Sequence, residues 1–147
     1  MPRKGHVKPR ESQVDAVYSN PAIAKFINCL MKKIKKSVAE KIMYGAMDIA
    51  AKRLNIESAE VFEKAMTGVQ PLVEVRPRRV GGATYQVPVE VTPERGQLLS
   101  IRWVISYARS KKGMPMSERL MRELMDAYKN EGSSIKKRED THKMAEA

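Results

Sequence analysis

The sequence is poor in several residue types, and each shortage argues against a class of protein. A single cysteine, Cys29, occurs among 147 residues. An internal disulfide framework is therefore excluded, and the composition fits a reducing compartment. The only histidines, His6 and His142, lie near opposite ends of the chain, so no histidine cluster indicates a metal site. No apolar run approaches the ~20 residues of a membrane-spanning helix.

Patterns that carry catalysis are also missing. Cys29 has no evident histidine partner for nucleophilic chemistry, and the sequence contains no Walker-type phosphate loop. The aspartates do not have metal-binding spacing; they stand at Asp15, Asp48, Asp126 and Asp140. We therefore predict a binding protein with no catalytic residues, no metal and no cofactor, rather than an enzyme.

Aromatic residues and acids are scarce as well. Two Phe, one Trp and five Tyr stand against ten Met, which predicts an aliphatic, methionine-rich core. There are 28 Lys and Arg against 17 Asp and Glu, so the net charge is +11 and the pI is about 9.9. A charge of this size on one small domain favours a nucleic-acid partner, or less often an anionic membrane surface.

Helical periodicity covers most of the chain after residue 18. Asn20 with Pro21, and Thr92 with Pro93, each place a capping residue before a proline at the first helical position. Further helix starts are predicted at Ser37, Ser58 and Ser117, with Asn55 and Gly132 as helix ends. The first apolar stripe runs from Ile23 to Ile34, and Trp103 is predicted to lie in the core. The segment from Ser133 is predicted to be a polar, surface-lying helix.

Residues 72–91 interrupt this pattern and predict a β-hairpin arm with its turn at Gly81 and Gly82. A three-residue loop, 81–83, gives the cleaner separation of apolar and charged faces. It pairs Val73 with Val91, Val75 with Val89, Pro77 with Val87 and Arg79 with Tyr85. The valines then form a docked base, and Arg76, Arg78 and Arg79 form a cationic outer part. The predicted fold is mainly α: one domain, 19–147, of about six helices with a protruding hairpin, preceded by a basic flexible tail, 1–18.

Basic residues recur at several places along this fold. The tail carries Arg3, Lys4, Lys8 and Arg10 without a nearby acid, and Lys35 and Lys36 follow the first helix. Arg95, Arg102 and Arg109 are spaced by seven and share one helical face; Lys111 follows them, and Lys136, Lys137 and Arg138 lie near the C-terminus. Such residues can be merely solvated, but their number favours contact with a polyanion.

Several strings resemble the small-subunit ribosomal protein seven family over essentially the whole chain. They are residues 71–91, Lys35-Lys36-Ser37, Arg102-Trp103 with Tyr107-Ala108-Arg109, and residues 136–146. Lys33-Ile34 departs from the family, which usually has Asp-Gly there. The resemblance implies a helical protein that binds the 3′ major domain of small-subunit rRNA and starts assembly of the subunit head. It also implies an arm near the exit-site tRNA and the mRNA path, and a neighbour in ribosomal protein eleven. The implied location is the cytoplasmic ribosome, or an organellar one.

The resemblance implies that the basic residues named in the tail, the region after the first helix, the arm, the fourth helix and the C-terminal segment bind RNA. It also implies that Gly81 and Gly82 form the arm's turn. The predicted role of the basic residues is phosphate neutralisation and recognition of RNA shape. Two other classes stay open. A DNA-binding helical regulator would have a helix-turn-helix and usually a dimer surface. A membrane-surface protein would have one helix that is basic on one face and apolar on the other.

Overall fold

The computed structural model describes residues 3–147, and within them the fold is mainly α with one hairpin, as predicted. The first two residues of the predicted tail lie outside the described residues. In chain order the elements are α1 Pro21–Leu30, α2 Lys36–Leu54, α3 Ser58–Val69, β1 Val73–Val80, β2 Ala83–Glu90, α4 Pro93–Ser110, α5 Met116–Tyr128 and α6 Gly132–Glu146.

Three predicted helix ends are confirmed by their capping geometry. The Asn20 side chain accepts from the Ala22 N–H at 2.9 Å, and Thr92 Oγ1 accepts from the Arg95 N–H at 3.4 Å. Asn55 adopts a left-handed conformation with φ of 54° and ends α2. Asn20 and Thr92 each accept a hydrogen bond from a backbone N–H that has no partner inside the helix. Asn55 takes the left-handed conformation that glycine usually supplies at a helix C-terminus.

Ser37, Ser58 and Ser117, predicted as the capping residues of their helices, each lie one or two residues inside the helix instead. Helix α2 begins at Lys36, α3 at Ser58 itself and α5 at Met116, and none of the three has a side-chain cap. Packing of the apolar helix faces, rather than capping, therefore determines where these helices start.

Two further expectations from the helical pattern are also wrong. The stripe does not extend to Ile34, because α1 ends at Leu30 and Lys33 turns the chain with φ of 55°. Ile34 is consequently 94% exposed. Gly132 does not end the fifth helix: α5 stops at Tyr128, and Gly132, with φ of 90°, opens α6.

Helix α5 lies at the centre of the helical domain and packs against α2, α3, α4 and α6. Its buried face includes Leu120, Met121 and Leu124. Phe26 and Phe62 meet edge to face with ring centroids 5.8 Å apart. Alanine and methionine fill much of the remaining core, so the predicted aliphatic, methionine-rich interior is confirmed.

The hairpin register differs from the predicted one. Val80 pairs with Ala83 and Val75 with Pro88, so the loop contains only Gly81 and Gly82. Both glycines have positive φ, 58° and 84°, as a two-residue turn that matches strand twist requires. Because every residue from Arg76 to Gln86 is exposed, burial does not choose between registers there, and the turn does.

The base of the arm also differs from the prediction. Val73, Val75, Val89 and Val91 are only partly buried, whereas Glu74, predicted on the polar face, is 9% exposed. Helix α6 packs against both strands and holds this end of the hairpin on the helical domain. The outer half projects away from it.

Candidate nucleic-acid interface

Glu74 organises the base of the arm. Its carboxylate accepts from Arg76 on the same strand at 2.8 Å and from Arg95 at the start of α4 at 3.4 Å. Burial raises the pKa of Glu74, but the hydrogen bonds and charges of the two arginines outweigh it and hold the pKa below the usual 4.5. Two of the predicted RNA-facing arginines are thus already paired within the protein, and one of them, Arg95, joins the arm to α4.

The outer arm carries Arg78 and Arg79, which are exposed and form no ion pair with any described residue. Strand β1 has eight residues, so the hairpin is about 27 Å long at ~3.4 Å per residue. The two guanidinium groups are therefore held near its far end, where a polyanion can reach them.

Arginines on α4 continue the basic surface from the arm toward the opposite end of the helical domain. Arg95 lies at the arm's base, Arg102 is exposed, and Arg109 donates to the Leu30 carbonyl at the end of α1 at 3.0 Å. A rise of 1.5 Å per residue places the first and last about 21 Å apart along one face of the helix. We call these three residues the α4 arginine row.

The row ends at a concave site between the α1–α2 turn and the start of α5, which we call the basic cavity. Its volume is about 300 Å³. Lys32, Lys35, Arg109 and Arg119 supply its charge, and Leu30, Val38, Ala39, Ile42 and Met116 supply its apolar surface. Lys36 is exposed next to Lys35. The predicted cations of the α1–α2 turn are therefore brought together with the end of the α4 row.

Sequence reasoning missed Arg119. Its Nη1 donates to the Lys111 carbonyl at 3.0 Å, and its Nε is buried without a hydrogen-bond partner among the described residues. In the sequence Arg119 is an ordinary basic residue of an amphipathic helix. Only the contact between the ends of α4 and α5 reveals its position.

Two predicted RNA-binding residues are engaged inside the protein instead. Lys111 Nζ lies 3.0 Å from the buried carboxylate of Glu123 and 3.7 Å from Asp126. Arg138 donates to the Gly68 carbonyl near the end of α3. Because these contacts neutralise a buried acid and satisfy a helix-end carbonyl, they give Lys111 and Arg138 structural roles.

The remaining C-terminal cations lie on α6. Lys136 is exposed, whereas Lys137 is half-buried and shares a cavity with Glu74 and Trp103. Trp103, predicted to lie in the core, is itself only partly buried against it. The structure therefore groups Lys137 with the base of the arm rather than with the α4 row.

The tail cations Arg3, Lys4, Lys8 and Arg10 are all exposed, and residues 3–20 form neither helix nor strand. Asp15 joins this segment to the helical domain. Its carboxylate accepts from the Tyr18 and Asn20 N–H groups at 2.7 Å each and from the Tyr44 hydroxyl at 3.3 Å. Sequence reasoning missed this anchor, because a single Asp before a helix carries no distinctive spacing.

The same contacts shift the pKa values of Asp15 and Tyr44. Burial raises the pKa of Asp15, but the backbone hydrogen bonds and Tyr44 outweigh it, so the pKa falls below 3.8. Burial, followed by the Asp15 charge and hydrogen bond, raises the pKa of Tyr44 to about 12. The pair is thus held as carboxylate and neutral phenol.

Metal-binding clusters of three or more His, Cys, Asp or Glu are absent from residues 3–147. Over the same range no helix is both long and apolar enough to span a bilayer.

Comparison with known proteins identifies the family. The sequence profile described as ribosomal protein S7p/S5e matches residues 2–147. Curated proteins named small ribosomal subunit protein uS7 align along this whole chain and along 94% of their own length. They include those of Thermoanaerobacter pseudethanolicus at 57% identity, Dictyoglomus turgidum at 56% and Clostridium beijerinckii at 56%. These relatives are named as ribosomal proteins and not as enzymes. The chain belongs to the small-subunit ribosomal protein seven family, described as ribosomal protein S7p/S5e.

Proposed function

We propose that this protein is a structural, RNA-binding protein of the small ribosomal subunit, which binds the 3′ major domain of the rRNA and starts assembly of the head. The observation that carries the proposal is a set of basic residues at three places on the fold. They are Arg78 and Arg79 on the arm, the α4 arginine row, and Lys35 and Lys36 beside the basic cavity in which that row ends. Such a set of cations fits the phosphate backbone of folded RNA.

The binding residues act on phosphates and on RNA shape. A-form RNA has a deep, narrow major groove that side chains do not read, so proteins recognise its backbone, minor groove and unpaired nucleotides. The predicted residues that are exposed and make no side-chain hydrogen bond or ion pair with another described residue are Arg3, Lys4, Lys8, Arg10, Lys35, Lys36, Arg78, Arg79, Arg102 and Lys136. Arg76, Arg95, Arg109 and Lys137 contribute where their internal contacts leave donors free. Lys111 and Arg138 support the fold of this surface.

The surroundings of the protein are proposed from the family resemblance. The projecting arm would lie at the exit-site tRNA and the mRNA path, with ribosomal protein eleven as a neighbour. The tail, 1–18, would order on RNA, since it has few apolar groups and three helix-breaking residues. The location would be the ribosome in the cytoplasm.

A filter-binding comparison tests the proposal directly. The protein is titrated against the 3′ major domain of small-subunit rRNA, random duplex DNA and anionic lipid vesicles at one salt concentration. The protein should bind the rRNA fragment on the order of tenfold more tightly than it binds the duplex DNA or the vesicles. Equal affinity for duplex DNA would favour the DNA-binding regulator, and preference for vesicles would favour a membrane-surface protein.

Co-sedimentation provides the cellular counterpart. Tagged protein expressed in cells should migrate with small ribosomal subunits in a sucrose gradient. A protein that stays at the top of the gradient while endogenous subunits form normally would contradict a ribosomal role.

A further inference from the structure

We propose that His142 on α6 is a positioning residue that fixes the direction of the arm, so that Arg78 and Arg79 meet the RNA in one orientation. The inference rests on the proposed function and deepens it, because it assigns control of one of the RNA contacts to a residue that need not touch RNA. His142 acts through the backbone at the base of the arm.

Both strands of the arm are joined to α6 through Leu72. The Leu72 carbonyl accepts from the N–H of Val91, the first residue after β2, at 2.9 Å. The Leu72 N–H donates to Nε2 of His142 at 3.0 Å. One backbone position, just before β1, therefore connects the two legs of the hairpin to a single side chain of α6.

Apolar packing does little to secure this position. The Leu72 side chain is 73% exposed, and the four valines at the base are only partly buried: Val73, Val75, Val89 and Val91. A two-stranded hairpin has little stability of its own and depends on what its base packs against. Where that packing is incomplete, a directional hydrogen bond at the base determines where the arm points.

A second contact of α6 secures the other side of the same connection. Arg138 lies one turn before His142 on the same face of α6, and it donates to the Gly68 carbonyl near the end of α3. Residues 68–72, which lead from α3 into β1, are thus held at both ends by one helix face. Because Arg138 holds the end that belongs to the helical domain, loss of the His142 contact should release the arm and leave α6 docked.

The chemistry of the contact suggests the variants. A histidine ring accepts a hydrogen bond only at a nitrogen that carries no proton, so the bond from Leu72 requires a neutral ring with its proton on Nδ1. Nitrogen-15 chemical shifts of His142 should show this tautomer, and a proton on Nε2 would overturn the inference. His142→Gln keeps an acceptor at the end of the side chain, whereas His142→Leu fills space without one.

Distances between spin labels report the direction of the arm in the free protein. In a Cys29→Ser background, labels at Thr67→Cys on α3 and Thr84→Cys near the tip of the arm span the hinge. Labels at Thr67→Cys and Lys52→Cys, both exposed on helices, report the helical domain alone. The distance from 67 to 84 should be narrowly distributed in the parent and in His142→Gln, and broad in His142→Leu. The distance from 52 to 67 should stay narrow in all three proteins.

RNA binding of the unlabelled proteins gives the functional readout. His142→Leu should bind the 3′ major domain of the rRNA about two- to tenfold more weakly, because fewer molecules hold the arm in the competent direction. Its salt slope should be unchanged, since no phosphate contact is removed. His142→Gln should bind like the parent. His6→Leu, at the exposed histidine of the tail, controls for the loss of a histidine and should not alter the arm distance.

The outcomes separate this inference from the proposed function. A narrow 67–84 distance in His142→Leu would overturn the inference, and so would a loosened arm with unchanged affinity for RNA. Broadening of the 52–67 distance would show that His142 supports the whole helical domain and would equally overturn it. A parent protein that does not bind the RNA, while its arm distance responds as expected, would contradict the proposed function and leave the control of arm direction standing.

Discussion

Glu74 shows how a residue can differ from the role that its sequence pattern suggests. Alternation along β1 predicts an exposed carboxylate, yet Glu74 is buried because Arg95, distant in sequence, approaches it across the base of the arm. Arg76, interpreted from sequence as an outer RNA-facing residue, completes the cluster. A pairing that depends on two different elements leaves no periodic signal in either.

Replacing Glu74 by Gln should lower the free energy of unfolding at pH 7 by about 1 kcal/mol, a modest loss because both arginines are partly exposed to water. The folded-state pKa lies below 4.5, so the carboxylate's contribution is complete above pH 4.5. It is lost as pH falls through the folded-state pKa. Urea unfolding of both proteins should therefore show a difference at pH 7 that shrinks at acid pH. Glu90→Gln, exposed on β2, is the control, and a pH-independent difference would contradict the ion pair.

Tyr44 provides a second residue-scale prediction. Its folded-state pKa of about 12 lies above the ordinary 10. The stability that it contributes is therefore present below pH 10 and is lost as pH rises from 10 through 12. Ultraviolet titration should show one tyrosine ionising well after the others, and Tyr44→Phe should remove that step. Asp15→Asn should move it toward pH 10, whereas Asp48→Asn, beside Tyr18, should leave it in place. A common tyrosine titration near pH 10 would contradict the contact.

At the scale of elements, the hairpin divides into a structural base and an exposed arm. The base is held by α6 and by the Glu74 cluster, and the arm beyond it has both faces in solvent. Arg78 and Arg79 should accordingly contribute to binding and not to the fold.

Joint replacement of Arg78 and Arg79 by Ala should change the free energy of unfolding by no more than about 0.5 kcal/mol. It should flatten the salt slope of RNA binding by about 2, one for each phosphate contact. Joint replacement of Lys52 and Arg53 by Ala removes the same charge from an exposed end of α2 and should leave the slope unchanged. A double arm variant that melts early but binds RNA normally would show that these arginines belong to the fold.

The elements also show which features a sequence reveals. Asn20-Pro21, Thr92-Pro93 and Asn55 are local signals, because the cap acts on backbone groups within a few residues, and all three are confirmed. The predicted hairpin register is wrong, because polarity does not choose between registers in the outer arm, where residues 76–86 are exposed on both faces. Arg119 and Glu123 could not be recognised, since their partners come from other elements of the fold. Asp15 could not be recognised because a single Asp before a helix has no distinctive spacing, and its contact with Tyr44 comes from α2.

At the scale of the whole molecule, charge and family agree on a polyanionic partner. The tail adds four cations to the basic surface and is joined to the domain through Asp15. Trypsin should cleave the free protein after Arg3, Lys4 or Arg10 and should leave these bonds intact in the RNA complex, because the tail orders on RNA. Cleavage is followed by mass spectrometry, with the helical Lys52–Arg53 bond as the control for general protection. A free protein that resists cleavage throughout the tail would show that the tail is already ordered.

The central claim is that an exposed basic surface binds RNA through its phosphates, and the salt dependence of affinity tests it most directly. Five neutralised phosphates would give a slope of log affinity against log salt concentration of about −3.5 to −4.5, from roughly −0.7 to −0.9 per contact. The measurement is a titration of the protein on the 3′ major domain of small-subunit rRNA at several salt concentrations. A slope in that range or steeper is the predicted result, and a slope near zero would contradict the account.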